Sequence, residues 1–291
     1  MGVLVMIKLI ASDMDGTLLN SKHEISKENL EAIKKAEEQG VRFTIATGRD
    51  ITQVKEVLEK YNLKCQCLLS NGAEYRDEDG NILEKIDIEK DKLKEILSIL
   101  KDRGIKAQLF TNEGIYTPSS KEEALEGTVH MIQCFEKVKS YEEALKIAKS
   151  HPGFTELKFI SNIEEFLNSP VEVRKIFAFY PDLEVLAKAK KEIEEIDGLA
   201  VSSSFINNIE ITNKDAQKGL TLAKVAKKLG IKKEEVMIMG DSFNDYSMFT
   251  EFTETVAMKN AIPEVKEIAK YITDTNDNHG VAKAILRVLE E

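Results

Sequence analysis

Residues 7–18 read Ile-Lys-Leu-Ile-Ala-Ser-Asp-Met-Asp-Gly-Thr-Leu. Ile7–Ser12 is a short apolar run, the pattern of a strand buried on both faces. Two carboxylates and a glycine then interrupt it, as Asp13-Met14-Asp15-Gly16-Thr17. A strand buried on both faces belongs to a parallel sheet covered by helices. Such sheets carry their sites at the carboxyl ends of strands, near the point where strand order reverses.

The pattern repeats outward from this stretch. Ser26 offers an N-cap, Leu30, Ile33 and Ala36 follow at helical spacing, and Gly40 is placed to stop that helix. Val41–Thr47 is a second strand candidate running into Gly48-Arg49. Thr52–Tyr61 reads as a helix, and Cys67–Ser70 as a third strand ending at Asn71-Gly72. The last part resumes the alternation. Gly219–Leu229 is helical, Val236–Met239 is a strand leading into Gly240-Asp241, and a helix begins at Asn244–Thr250. Thr255–Ala257 and Tyr271–Thr273 read as short strands, and Val281–Leu289 as a closing helix. The middle is different. Ala107–Phe110 with Ile115–Thr117, and Leu199–Ser203 with Asn208–Thr212, read as hairpins among helices, and Glu172–Tyr180 as an apolar strand. The expectation is an α/β protein: a Rossmann-like, doubly wound parallel sheet as core, formed by residues 1–82 and 213–291, with an α+β cap domain inserted at 83–212. The joins are expected near Asn71–Asn81 and Thr212–Lys218.

The 291 residues are 42% hydrophobic and 32% charged, as in a packed globular protein. The formal net charge of −10 argues against broad binding to nucleic acid or anionic membranes. It leaves room for a small phosphorylated molecule, because a few local cations can reverse the sign of a pocket. Cys65, Cys67 and Cys134 form neither a disulfide framework nor a zinc pattern, and are read as small apolar residues of a reduced, cytoplasmic protein. The apolar N-terminus lacks a basic leader and is too short to span a bilayer; Met1–Val5 are read as a dispensable extension. His23, His130, His151 and His279 fall on no motif and are expected on the surface or in loops.

The polar residues at the strand ends form a set. Four aspartates, Asp13, Asp15, Asp241 and Asp245, come from two strand ends far apart in sequence. Gathered together they would repel one another without a cation. Short oxygen ligands with no His or Cys suit Mg²⁺ rather than zinc. A carboxylate can attack phosphorus, and a second one two residues on can protonate the leaving oxygen and then activate water. Thr47, Lys218 at a predicted helix start, and the metal can hold the charged phosphate oxygens. Each motif alone is weak, since Asp-x-Asp and Thr-Gly-Arg are common turn sequences. Their order, each at a predicted strand end, is the specific signal.

These residues resemble the haloacid-dehalogenase superfamily. Asp13-x-Asp15-Gly16-Thr17-Leu18 resembles its first motif, Thr47-Gly48-Arg49 the second, Lys218 the third and Gly240-Asp241-x-x-Asn244-Asp245 the fourth. The position of the insertion resembles the Cof-like, II-B phosphatases, as do Asn71-Gly72-Ala73, Ala257-Met258-x-Asn260-Ala261 and Gly280-Val281-Ala282. The resemblance implies Asp13 as nucleophile and magnesium ligand, and Asp15 as general acid/base with its backbone carbonyl on the metal. It implies Asp241 as a further ligand and Asp245 as support for the metal shell. Thr47, Gly48 and Lys218 would bind phosphate, and Asn244 would contact phosphate or position Lys218. Arg49 and Asn71 would be substrate-binding residues, and the cap would select the substrate.

The implied function is a Mg²⁺-dependent phosphatase of small metabolites, sugar phosphates first, working through an aspartyl-phosphate on Asp13. A phosphomutase with the same core and a noncatalytic phosphometabolite-binding protein are the alternatives; the latter is expected to have lost a catalytic aspartate. A Gly-Asp-Ser esterase, suggested by Gly240-Asp241-Ser242, fits poorly, because that block lies late and the tail Asp277-Asn278-His279 is one residue short of Asp-x-x-His.

Overall fold

The computed structural model describes residues 6–135 and 138–290, so Met1–Val5 lie outside the described residues. The strands follow one another as β1 (Leu9–Ser12), β2 (Arg42–Ala46), β3 (Gln66–Leu69), β4 (Glu74–Arg76), β5 (Ile82–Lys85), β6 (Lys106–Thr111), β7 (Gly114–Thr117), β8 (Lys158–Phe159), β9 (Val173–Phe179), β10 (Leu199–Ser202), β11 (Asn208–Asn213), β12 (Val236–Gly240), β13 (Glu254–Ala257) and β14 (Tyr271–Ile272). The chain divides into two compact units. One comprises the chain up to Ile86 and from Asp215 onward; the other is Asp87–Lys214.

The first unit is built on a sheet of order β14-β13-β12-β1-β2-β3-β4-β5. From β14 to β3 every neighbouring pair is parallel. The chain steps outward from β1 to β2 and β3 on one side, and from β12 to β13 and β14 on the other. Strand order therefore reverses at the β1/β12 pair, where Leu9 lies opposite Val236 and Ser12 opposite Met239. The central strands β1 and β12 are fully buried, as their apolar runs require. The helices behave as their sequences dictate. Ser26 caps helix Lys27–Glu38 by accepting from Asn29 N–H, and Ala32, Ile33 and Ala36 form its buried stripe. Asp50 and Gln53 close a capping box on helix Ile51–Tyr61. Helix Gly280–Glu290 packs on helix 27–38, and helices Lys218–Lys228 and Tyr246–Glu251 pack on each other. Their apolar residues join the strands in one core.

The first join lies a few residues beyond the expected 71–81. β4 and β5 extend the core sheet as an antiparallel hairpin, with Leu68 opposite Tyr75 and Glu74 opposite Lys85. The boundary accordingly lies between Ile86 and Asp87 rather than at 82/83. The return lies between Lys214 and Asp215 rather than at 212/213, because β11 pairs through Asn213 with Leu199. The hairpin turns at Asp77-Glu78-Asp79-Gly80, a polar stretch that the alternation of the parallel part did not signal.

The second unit has a sheet of order β10-β11-β9-β6-β7-β8, antiparallel except at β7/β8. Helices Lys90–Asp102, Ile163–Asn168 and Leu183–Glu194 share one apolar core with it, including Leu93, Leu109, Ile176, Leu186 and Ile211. Helices Lys121–Phe135 and Tyr141–Ala148 enclose a smaller cluster of Val129, Ile132, Ala144 and Ala148. Lys175 and Glu210, on adjacent strands, form a buried ion pair at 3.1 Å. Ser204 Oγ and Asn208 Nδ2 bind the second oxygen of Glu210 at 2.6 and 3.1 Å.

Two smaller expectations change. His130 stands within helix 121–135, half-buried, rather than in a loop, and His151 caps helix Pro152–Thr155. Cys65 and Cys67 are core residues, whereas Cys134 is exposed. Among the described residues no helix is long and apolar enough to cross a membrane.

Candidate active site

The ends of β1 and β12 meet where strand order reverses, and the acidic residues gather there. Asp13 follows β1 directly; its N–H donates to Met239 O at 2.9 Å, which ties it to β12. Its side chain is only 4% exposed. Asp241 and Asp245 come from the turn after β12, and Lys218 is the first residue of helix 218–228. Lys218 and Asp245 are both 0% exposed. The Lys218 ammonium lies 2.7 Å from Asp13 Oδ1 and 2.6 Å from Asp245 Oδ1. Asp13, Asp241 and Asp245 each offer an oxygen within 4.8 Å of the others.

Backbone geometry makes these approaches possible. Gly16 has φ +85°, and a Cβ there would stand 2.5 Å from Asp241 Oδ2. The glycine lets the loop turn under Asp241, and Thr17 Oγ then donates to Asp241 Oδ1 at 2.7 Å. Asp245 folds back on its own turn, accepting from Asp241 N–H at 2.9 Å and Ser242 N–H at 3.1 Å. Lys218 is placed by the turn after β3. Ser70, Asn71 and Gly72 all have positive φ (+49°, +59° and +100°). At Gly72 a Cβ would come within 2.6 Å of Gln217 C. Gly72 O accepts from Thr221 Oγ at 2.7 Å, so the turn holds the first turn of the lysine's helix. A left-handed serine and asparagine cost about 1 kcal/mol each or more, strain of a kind that clusters at functional sites.

The electrostatics follow from three carboxylates and one ammonium in a desolvated space. Burial, then the Asp245 carboxylate, raise the Asp13 carboxyl well above the ordinary range, with Lys218 only partly offsetting them. Burial and Asp245 push Asp241 up to about 7, against the hydrogen bond from Thr17. Burial works against the Lys218 charge, but Asp13 and Asp245 outweigh it and raise its pKa. The cluster is thus short of positive charge. Its donors are all hard carboxylate oxygens, which fits Mg²⁺.

The remaining residues from the sequence reading are distributed around this centre. Thr47 is buried; its hydroxyl accepts from Arg49 N–H at 3.2 Å, and its carbonyl accepts from Asn71 N–H at 3.0 Å. Gly48 lies half-buried between Thr47 and Arg49. The Asp15 side chain is not among the clustered carboxylates. It is gripped by the Arg49 fork instead, Nε to Oδ2 at 2.8 Å and Nη2 to Oδ1 at 2.6 Å. Asn244 Nδ2 donates to Asn71 Oδ1 at 3.4 Å, and the Lys218 ammonium is bound by Asp13 and Asp245. Sequence reasoning assigned no role to Thr17, although it stands inside the first motif, or to the turn at Ser70. A tolerated left-handed serine leaves no mark in the sequence.

The haloacid dehalogenase-like hydrolase family model matches residues 10–285. The chain is 34% identical over 288 residues to phosphatase YwpJ of Bacillus subtilis, covering 97% of this chain and 100% of that protein. It is 32% identical over 283 residues to the 5-amino-6-(5-phospho-D-ribitylamino)uracil phosphatase YwtE of the same organism, covering 97% and 98%. A solved haloacid dehalogenase-like hydrolase from B. subtilis superposes with a TM-score of 0.84 at 33% identity, over 96% of this chain and 99% of that one. This protein belongs to the haloacid dehalogenase-like hydrolases, and within them to the Cof-like phosphatases.

Proposed function

We propose that this phosphatase hydrolyses phosphomonoesters of small metabolites, sugar phosphates foremost, with Asp13 as nucleophile and Mg²⁺ as cofactor. One observation carries the reading: Asp13 is buried at the strand-order reversal, with Lys218 2.7 Å from its carboxylate and Asp241 and Asp245 beside it.

Asp13 and Asp241 would hold Mg²⁺ through their carboxylates, and Asp15 through its backbone carbonyl. Asp245 would support that shell from behind, since both its oxygens are engaged, one by Lys218 and one by backbone amides. Bound Mg²⁺ supplies positive charge for the phosphate oxygens and for the crowded carboxylates. Lys218 and the Thr47 turn provide the chain's own donors for those oxygens. An Asp13 oxygen attacks phosphorus, the bond to the leaving oxygen breaks, and Asp15 delivers a proton to that oxygen. Asp15, now a carboxylate, takes a proton from water; the water oxygen attacks phosphorus, and the bond to Asp13 breaks. Asp15 acts in this way only after exchanging the Arg49 fork for the leaving oxygen, which leaves Arg49 free to meet an anionic or hydroxylated substrate.

The substrate class is supported by the YwtE relative, whose named substrate carries its phosphate on a polyhydroxylated ribityl chain. The net charge of −10 disfavours nucleic acid and anionic membranes as partners. Free thiols at Cys65, Cys67 and Cys134 support a reducing, cytoplasmic setting.

The test is release of inorganic phosphate from a panel of phosphorylated metabolites, with Mg²⁺ or EDTA, using Asp13→Asn as control. Release is expected to need both Mg²⁺ and Asp13, with a loss on the order of 10⁴-fold in the variant. Undiminished release by folded Asp13→Asn removes it as nucleophile. Substrate isomerisation without net release identifies a mutase, and tight substrate binding with no chemistry a binding protein.

A further inference from the structure

We propose that Asn260 and Asn276 are positioning residues that set the place of Asp15 by clamping the backbone of its loop. The proposal rests on the reading of Asp15 as the general acid.

The loop after β1 leaves Asp13, carries Asp15 outward and turns at Gly16. At Gly16 the positive φ opens peptide orientations that other residues rarely adopt. The direction of the Gly16 carbonyl then depends on what holds it, and Asn260 Nδ2 donates to that carbonyl at 2.7 Å. The same side chain accepts from Asn276 N–H on Oδ1 at 3.0 Å. The Asn276 side chain in turn donates to Leu19 O at 2.9 Å. The two asparagines thus grip the loop at both ends of the Gly16–Leu19 segment.

The clamp is itself referenced to the acidic centre. Its turn is pinned by Met258 N–H on Gly240 O at 3.1 Å and by Ile262 N–H on Asp241 O at 2.9 Å. Asn260 therefore stands at a fixed offset from Asp241 and imposes that offset on the Gly16–Thr17 peptide, one residue beyond Asp15. Thr17, donating to Asp241 Oδ1, ties the segment to the same carboxylate from the other side. A purely structural role is the weaker explanation. Asn260 is exposed, and exposed side-chain hydrogen bonds add little to global stability. One of its bonds nevertheless falls on the loop that carries both Asp13 and Asp15, and the other fixes Asn276, whose side chain holds the same loop at Leu19.

The test separates proton delivery from everything else. An alkyl phosphate needs its leaving oxygen protonated, whereas 2,4-dinitrophenyl phosphate has a leaving group stable as an anion. The values of kcat/KM, which report through leaving-group departure, are compared for both esters in wild type, Asn260→Ala, Asn276→Ala and Asp15→Asn. Asn260→Ala is expected to lose about a hundredfold on the alkyl ester, the cost of a small misplacement, and only a few-fold on the dinitrophenyl ester. Asn276→Ala should show the same split more weakly, and melting temperatures should move by only a few degrees. Asn260→Asp keeps the acceptor for Asn276 N–H but loses the donor to Gly16, so it should match Asn260→Ala and carries the test if the alanine variant folds poorly. Equal losses on the two esters, or none, while Asp15→Asn retains the split, overturn the clamp alone. Absence of the split in Asp15→Asn overturns the acid assignment and the clamp with it.

Discussion

Both units of this protein bury a lysine against acid, yet the two arrangements differ in kind. In the inserted unit Lys175 meets Glu210 at 3.1 Å, and the second oxygen of that glutamate is bound by Ser204 and Asn208. In the core unit the Lys218 ammonium sits between two carboxylates, with Asp241 close to both. A buried lysine paired with a carboxylate that neighbouring side chains also hydrogen-bond is a solution to burial. Three carboxylates around one lysine leave a deficit of positive charge, which raised carboxyl pKa values, a further cation or a charged substrate can relieve.

The largest way to break this contrast is at Lys218. Lys218→Met leaves Asp13 and Asp245 buried without their shared cation. It should cost about 3–5 kcal/mol of stability in EDTA, with part restored by Mg²⁺. Activity should fall about 10²–10³-fold, the worth of one preorganised group on the phosphate oxygens. Denaturant melts and phosphate-release kinetics read the two effects; a stable, active variant would remove the charge deficit from the account.

The matched pair should respond differently. Lys175→Met alone removes the ammonium from the buried Glu210 carboxylate and should cost about 3 kcal/mol, whereas Lys175→Met combined with Glu210→Leu should recover part of that loss. A double-mutant cycle in urea measures this. A double variant as unstable as the single one would mean the pair is more than a local balance.

The smallest effect sharpens the contrast by pH. Asp13 is raised and Asp241 stands near 7 in the metal-free protein, both above the unfolded value of about 4. The folded state then holds more protons than the unfolded state between those values, so stability from these groups is present at low pH and is lost as pH rises toward 7. Mg²⁺ needs the deprotonated oxygens. It should therefore raise the melting temperature more at pH 8 than at pH 5. Equal increments at the two pH values would place the metal elsewhere.

Much of the core was legible because its signals are local. The cap at Ser26, the glycine stop at Gly40 and the apolar strand runs each depend on a few adjacent residues. The β4–β5 hairpin was not legible, since its polar turn resembles a linker and only pairing with β3 shows otherwise. The same holds in the site. Asp13, Lys218, Asp241 and Asp245 could be named from motif order, but the bidentate grip of Arg49 on Asp15 depends on the turn after β2 lying beside the loop after β1. Asn260 stood in a recognisable pattern with no role until its carbonyl partner was seen 244 residues away.

By itself the sequence determined which residue types stand at which strand ends, and so the chemistry proposed for the protein: carboxylates for phosphorus and metal, a lysine and a threonine for phosphate. Those are properties of side chains and short-range pattern. Only the tertiary structure decided the division of labour among the aspartates. Asp245 is spent on Lys218 and backbone amides, Asp241 is held by Thr17, Asp15 lies in the Arg49 fork, and Asp13 is left with one oxygen on Lys218. Protonation, partner choice and strain in a buried charge cluster depend on distances of a few ångströms between segments far apart in the chain, and the strand-order reversal at β1/β12 sets those distances.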